Sequence, residues 1–272
     1  MSHPIESQNN SIWFLRHYFR YEVHGLEKLE SLHLNKKPFL IVSNHSTNLI
    51  DPLLFMHSYY EKYDIVPAPI GYSDFILDNP VFRNFADMYG LIGSKEFKKI
   101  LKVFKKGKPI LAYPGEEEES VLRNFHNEPY TLKWKKKLGL LKILSNNQLP
   151  LVFVASLGAD ELVTQSHAVK MPSIIKKIFG MADEIYEEAL QLWTIAIHPP
   201  IKVIHIVTEP IYLEEYIVKR KDKIDTLYES LNQLERLCQN RLNDCLMIRE
   251  SHSDDIDKFM KKFIEQGRIL GL

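Results

Sequence analysis

Two short segments carry the residue types best suited to chemistry. The first, Asn44-His45-Ser46-Thr47-Asn48-Leu49-Ile50-Asp51, follows the apolar run at residues 39–43. The second, Pro114-Gly115-Glu116-Glu117-Glu118-Glu119-Ser120, follows another apolar run at 110–113. A histidine and a carboxylate in one strand-to-helix loop are the parts of a general base and its orienter. The imidazole takes a proton from a hydroxyl, while the carboxylate fixes the tautomer and steadies the imidazolium. The plainer account makes Asp51 the N-cap of a helix opening at Pro52 and His45 a loop residue. Spacing alone leaves both open. The glutamate run has a solvated reading beside a substrate-facing one, and it lacks a recognisable metal-ligand spacing, so no metal is expected.

These segments need elements to hold them. The runs at 39–43 (FLIVS) and 110–113 suit buried strands, as do 151–155 and 202–207, with a weaker strand at 65–70 interrupted by Pro67 and Pro69. A short helix fits 11–22, leading into a strand near 21–24. Helices also fit 53–60, 81–88, about 132–146, 221–248 and 253–266. The clearest one places Phe97, Ile100, Leu101 and Phe104 on one face, with Ser94 as its cap and Gly107 as its stop. Strands alternating with helices imply an α/β fold, a mostly parallel sheet with helices on both faces. In such a sheet, reacting groups gather in the loops after the strands, which is where both segments fall. The simplest division is an N-terminal segment 1–17, an α/β domain 18–215 and C-terminal helices 216–272 packed on it.

Composition narrows the class. Lys plus Arg and Asp plus Glu both number 35, so a zero formal charge argues against a dedicated nucleic-acid binder. Hydrophobic residues make up 45%, which excludes a disordered chain. Cys238 and Cys245 lie two turns apart on one helix, too far to bond within it, and fit a reducing compartment. No apolar run reaches the roughly 18–20 residues that span a membrane, and residues 1–10 lack a signal-peptide core. The expected location is cytoplasmic with peripheral membrane contact.

The order of the motifs adds a resemblance. Tyr18-Phe19-Arg20-Tyr21-Glu22-Val23-His24-Gly25-Leu26 looks like the lead-in strand of the glycerolipid and lysophospholipid acyltransferase superfamily. Asn44-His45 to Asp51 resembles its first motif, Asn-His, four residues, Asp. Ser94-Lys95-Glu96 stands where the family often has Ser-Arg-Glu, and Tyr113-Pro114-Gly115-Glu116 resembles its Pro-Glu-Gly or Pro-Gly-Gly motif. Trp134 with the run 149–154, then Thr208-Glu209-Pro210-Ile211, resembles the later motifs. The series runs in order over about 18–215. Five residues separate His45 from Asp51 where the family has four. That spacing and the Pro-Gly motif look closer to the monoacylglycerol and diacylglycerol acyltransferase-like branch.

The resemblance implies acyl transfer from a thioester, acyl-CoA or acyl carrier protein, to the hydroxyl of a lipid acceptor. His45 would be the base and Asp51 its orienter, with Asn48 as a substitute. Asn44, Asn48, Ser94, Lys95, Pro114, Gly115, Glu116 and Glu119 would meet substrate. No cofactor is required, because the thioester carries the activation. Four glutamates at 116–119, with no arginine before Arg123, would repel a phosphomonoester and favour a neutral glycerolipid. The alternatives are a lysophospholipid acceptor of the 1-acylglycerol-3-phosphate type, served by Lys95, Arg123 or the lysines at 133–137, and a silent lipid-binding homologue. The lysines at 98–108 read either as a solvated helix face or as a surface for anionic lipid. Trp13, Phe14 and Leu15, and the segment 172–193, are candidate membrane contacts. The stripe Leu231, Leu234, Cys238, Leu242 and Cys245 reads as helix packing. His57, His126, His198 and His205 are scattered and call for no role.

Overall fold

The computed structural model describes residues 9–44, 50–71, 87, 89–115, 119, 129–134, 139, 144, 148–162, 202–212 and 223–251. Helix α1 (Asn9–Tyr18) leads into β1 (Glu22–His24), a 3-10 turn (Leu26–Leu29) and α2 (Glu30–Leu34). Strand β2 (Leu40–Ser43) precedes α3 (Ile50–Tyr63), β3 (Ala68–Gly71), β4 (Ile92–Gly93), α4 (Phe97–Lys105) and β5 (Ile110–Ala112). Then come β6 (Leu151–Leu157), a second 3-10 turn (Ala159–Leu162), β7 (Ile204–Val207) and α5 (Lys223–Ser251).

The strands make one sheet in the order β1-β7-β6-β2-β5-β3-β4. Strands β6, β2, β5, β3 and β4 are parallel. Strand β7 runs antiparallel to β6, and β1 lies parallel to β7. The fold class is therefore α/β with a mostly parallel sheet flanked by helices, as the alternation of elements implied.

Continuous apolar strands are what a sheet covered on both faces requires. Leu40, Val42, Ile110, Ala112, Phe153 and Ile206 face the layer of α4 and α5, where Ile100, Phe104 and the stripe Leu231, Leu234, Cys238, Leu242 and Cys245 pack. Full burial of one such leucine is worth roughly 1.5–3 kcal/mol. Ile41, Leu111, Val152, Val154 and Val207 alternate to the other face, against Phe55, Met56 and Tyr59 of α3. The stripe on α5 is therefore core packing.

Several local expectations change. Helix α3 opens at Ile50, so Asp51 sits inside its first turn instead of capping it. The N-cap position of α4 is Glu96, not Ser94, and its carboxylate makes no cap bond but accepts the Gly93 N–H at 3.0 Å. Of its expected apolar face, Ile100 and Phe104 are buried while Phe97 and Leu101 remain exposed. Residues 131–134 are not helical. Side chains of α5 capture their amides there: Leu132 N–H donates to Gln239 at 2.7 Å and Trp134 N–H to Glu235 at 2.6 Å. Strand β3 tolerates Pro69 because its ladder with β4 begins only at Ile70. Strand β4 has two residues, too few to show a periodicity. The helices expected at 81–88 and 253–266, and the segment 172–193, fall wholly or largely outside the described residues.

Candidate functional site

Strands β2 and β5 run out together, since Val42 lies opposite Ala112. Asn44 and Pro114 each follow that pair by two residues, at the same sheet edge. Asn44 is fully buried. Its side chain donates to the Ser156 carbonyl at 2.9 Å and accepts the Ser156 N–H at 2.8 Å. A primary amide offers a donor and an acceptor like a peptide group, so Asn44 extends the β2–β6 ladder past the Ser43–Val154 pair. The residue preceding His45 is thereby locked to β6. His45 and Asn48 lie outside the described residues, as does Glu116.

Asp51 is buried, at 1% exposure, in the first turn of α3. The unsatisfied N–H groups of a helix N-terminus favour a carboxylate there. His205, also buried, sets its Nε2 against Asp51 Oδ1. His205 stands on β7 between Ser156 of β6 and Val23 of β1. Its Nδ1 lies 2.9 Å from the Tyr21 hydroxyl, and the rings of Tyr21 and Phe55 flank it. Directly opposed residues of an antiparallel pair share a face, so Ser156 and His205 point to the α3 side together. The buried Ser156 hydroxyl has no hydrogen-bond partner among the described residues.

Tyr113 follows β5 on that same face, with its hydroxyl sealed from solvent. Burial, reinforced by the Asp51 charge and then by Tyr21, pushes its ionisation well above the ordinary phenol range, so it stays protonated. Pro114 and Gly115 are buried behind it. Gly115 leaves room for Glu119: a Cβ there would stand 1.9 Å from the Glu119 side chain as placed. Glu119 folds back over Gly115, fully buried, and its carboxylate accepts the Lys133 N–H at 2.7 Å. One of the four glutamates thus serves an internal bond.

A family model described as Acyltransferase matches residues 20–155, half of the chain. The chain belongs to this acyltransferase family. The matched span takes in Asn44, His45, Asp51, Pro114 and Gly115, while His205 lies beyond it. Among solved structures similar to the acyltransferase is the 1-acyl-sn-glycerophosphate (LPA) acyltransferase PlsC from Thermotoga maritima. That protein is 14% identical, with a TM-score of 0.49 over 88% of this chain and 83% of its own. No curated protein sequence matches the chain.

The structure gathers Asn44, Asp51, Tyr113, Pro114 and Gly115 of the acyltransferase at one place on the sheet edge. Ser94 and Lys95 stand elsewhere. They follow β4, three strands from β2 or roughly 14 Å at ordinary strand spacing, where Ser94 N–H donates to the Gly71 carbonyl at 3.0 Å. Among the described residues no cluster of His, Cys, Asp and Glu could hold a metal ion. His205 is the site residue that the sequence reading set aside. A signal for it exists: Val203-Ile204-His205-Ile206-Val207 is apolar except for the histidine. In a strand covered on both faces, a polar side chain must find a buried partner.

Proposed function

We propose that the acyltransferase moves a fatty acyl group from a thioester, acyl-CoA or acyl carrier protein, to the hydroxyl of a lipid acceptor. His45 takes the hydroxyl proton as the oxygen attacks the thioester carbonyl. Asp51 steadies the imidazolium. The tetrahedral intermediate collapses, an ester forms, and the thiolate leaves and takes up the proton. The observation that carries this reading is the Asp51 carboxylate, buried in the first turn of α3, seven residues after an Asn44 whose side chain is pinned to β6.

For the acceptor, the neutral glycerolipid of the monoacylglycerol and diacylglycerol branch remains our choice. Its charge argument rests on Glu116, Glu117 and Glu118, since Glu119 is turned inward. The withdrawal of Glu119 favours a second reading, a lysophospholipid acceptor. Peripheral contact with an anionic membrane fits the exposed Trp13 and Phe14 on α1 and the exposed Lys98, Lys99, Lys102 and Lys105 on α4. No helix among the described residues is long and apolar enough to cross a membrane.

The test is transfer from labelled oleoyl-CoA by wild type and His45→Ala, against monoacylglycerol, diacylglycerol, lysophosphatidate and other lysophospholipids. Transfer abolished by His45→Ala establishes the base, and the acceptor used decides between the two readings. Wild-type transfer by His45→Ala removes the mechanism. A folded protein that binds lipid and transfers from neither oleoyl-CoA nor oleoyl carrier protein is a silent binder.

A further inference from the structure

We infer that His205 is a positioning residue for Asp51, the inner end of a chain of polar contacts that ties the acyl-transfer site to α1. The inference rests on the mechanism proposed above and adds to it a residue outside both motif loops.

The chain begins on α1. Arg16 donates to both carboxylate oxygens of Glu61 at 2.7 Å through Nη1 and to the Ser58 hydroxyl at 2.6 Å through Nη2. A guanidinium only donates, so Ser58 Oγ accepts there and turns its own proton elsewhere. Ser58 bonds the Tyr21 hydroxyl, and Tyr21 lies 2.9 Å from Nδ1 of His205. Burial first, and the Asp51 charge among the lesser causes, pushes the Tyr21 ionisation far up, so Tyr21 keeps its proton to donate. An Nδ1 that accepts from Tyr21 puts the imidazole proton on Nε2. That nitrogen is in ion-pair contact with Asp51 Oδ1, and it makes no hydrogen bond of ordinary geometry among the described residues. Every proton from Arg16 inward then points toward Asp51, an arrangement in which each bond polarises the next.

The polarity has a chemical consequence. A neutral His205 donates to Asp51 without cancelling its charge. The carboxylate is held in one rotamer and remains negative for the imidazolium that forms at His45. A carboxylate accepts at both oxygens, so a donor on Oδ1 is compatible with a second histidine on Asp51. The outer end of the chain lies at a groove of about 1010 Å³ lined by residues of α1, of α3 and of the stretch joining α1 to β1, among them Arg16, Glu61 and Tyr21. The seat of α1 on α3 is thereby mechanically linked to the rotamer of Asp51.

The experiment uses the full chain with oleoyl-CoA and the best acceptor of the panel. The variants are His205→Leu, His205→Gln, Tyr21→Phe and His45→Ala, each with its melting temperature. Positioning predicts that His205→Leu lowers kcat about 10–100-fold, the worth of one interaction with a charged group, with both KM values within twofold. His205→Gln, whose amide can still donate to Asp51, recovers most of that loss. Tyr21→Phe costs about 2–10-fold, the worth of one hydrogen bond. Wild-type kcat in His205→Leu, while His45→Ala is inactive, overturns the inference and leaves the mechanism standing. Equal losses in the Leu and Gln variants with normal melting also overturn it, because a packing role would not distinguish them. Wild-type transfer by His45→Ala fells the mechanism itself, and the inference with it. Should His205→Leu not fold, ¹⁵N imidazole spectra of the wild type decide. The Nε2–H tautomer of His205, perturbed in Tyr21→Phe, supports the chain; an Nδ1–H or doubly protonated ring at pH 7 refutes it.

Discussion

Replacing Asn44 by alanine should destabilise the protein and disable transfer together. The amide of Asn44 satisfies two backbone groups of Ser156, at 2.9 and 2.8 Å, in a spot sealed from solvent. Alanine removes both partners and leaves a buried N–H and a buried C=O facing a methyl group. Each orphaned group costs about 1–3 kcal/mol, so the sum is about 2–6 kcal/mol before the loop relaxes. Asn44→Asp sharpens the test. Its carboxylate still accepts from the Ser156 N–H but faces the carbonyl with an acceptor, and it puts a negative charge in a fully buried position. It should therefore be no better than alanine, although it is closer in shape. Urea titration at constant m-value measures the stability of each variant, and oleoyl-CoA transfer measures the function. A loss within 0.5 kcal/mol for Asn44→Ala, beneath the cost of a single orphaned group, would refute the account of Asn44 as an extension of the strand ladder.

Three further outcomes follow from burial and backbone geometry. Gly158 has φ of 88°, and a Cβ there would meet the Lys202 carbonyl at 2.0 Å, so Gly158→Ala should cost about 3 kcal/mol or more; an unchanged melting temperature would contradict this. Burial raises both thiols, Cys245 to about 12 and Cys238 also upward, so iodoacetamide at pH 8 should label neither until the chain unfolds. Stoichiometric labelling of the native protein would be the contrary result. His57 is held down to about 4 by burial, which the Glu61 charge opposes and Arg16 reinforces. The unfolded chain then takes up this proton near pH 6.5 while the native state waits until about pH 4. Stability contributed by a neutral His57 is full above 6.5 and lost as pH falls through that window. His57→Gln should flatten the urea midpoint between those pH values, and parallel profiles would count against it.

The sheet was readable because its strands are short apolar runs set between helical periodicities, and the motif order singled out Asn44, Asp51, Pro114 and Gly115 as candidates. What escaped had identifiable causes. Ser94 reads as a cap, yet Glu96 reaches back to the Gly93 amide and takes that position. Trp134 and Leu132 read as the opening of a helix, yet Glu235 and Gln239, a hundred residues later, bind their backbone amides. Glu119 reads as part of an acidic surface, yet the missing Cβ at Gly115 opens the space into which it folds. In each case a side chain distant in sequence, or one with two local options, supplies a bond that no pattern of apolar residues encodes.

His205 escaped for a topological reason. In a parallel sheet the loops after the strands gather at one edge, so a search for chemistry looks just past each apolar run. Strand β7 is reversed against β6, with Val154 opposite Val207 and Leu157 opposite Ile204. The early residues of β7 therefore meet the late residues of β6, and a histidine inside the strand comes level with Ser156, the residue that anchors Asn44. A parallel β7 would carry its early residues to the opposite edge, away from Asp51. The reversal lets one stretch of β6 hold Asn44 through its backbone while its neighbour on β7 holds Asp51 through a ring. Asn44 and Asp51, the residues on either side of His45 in the motif, are thus both held from the same pair of strands.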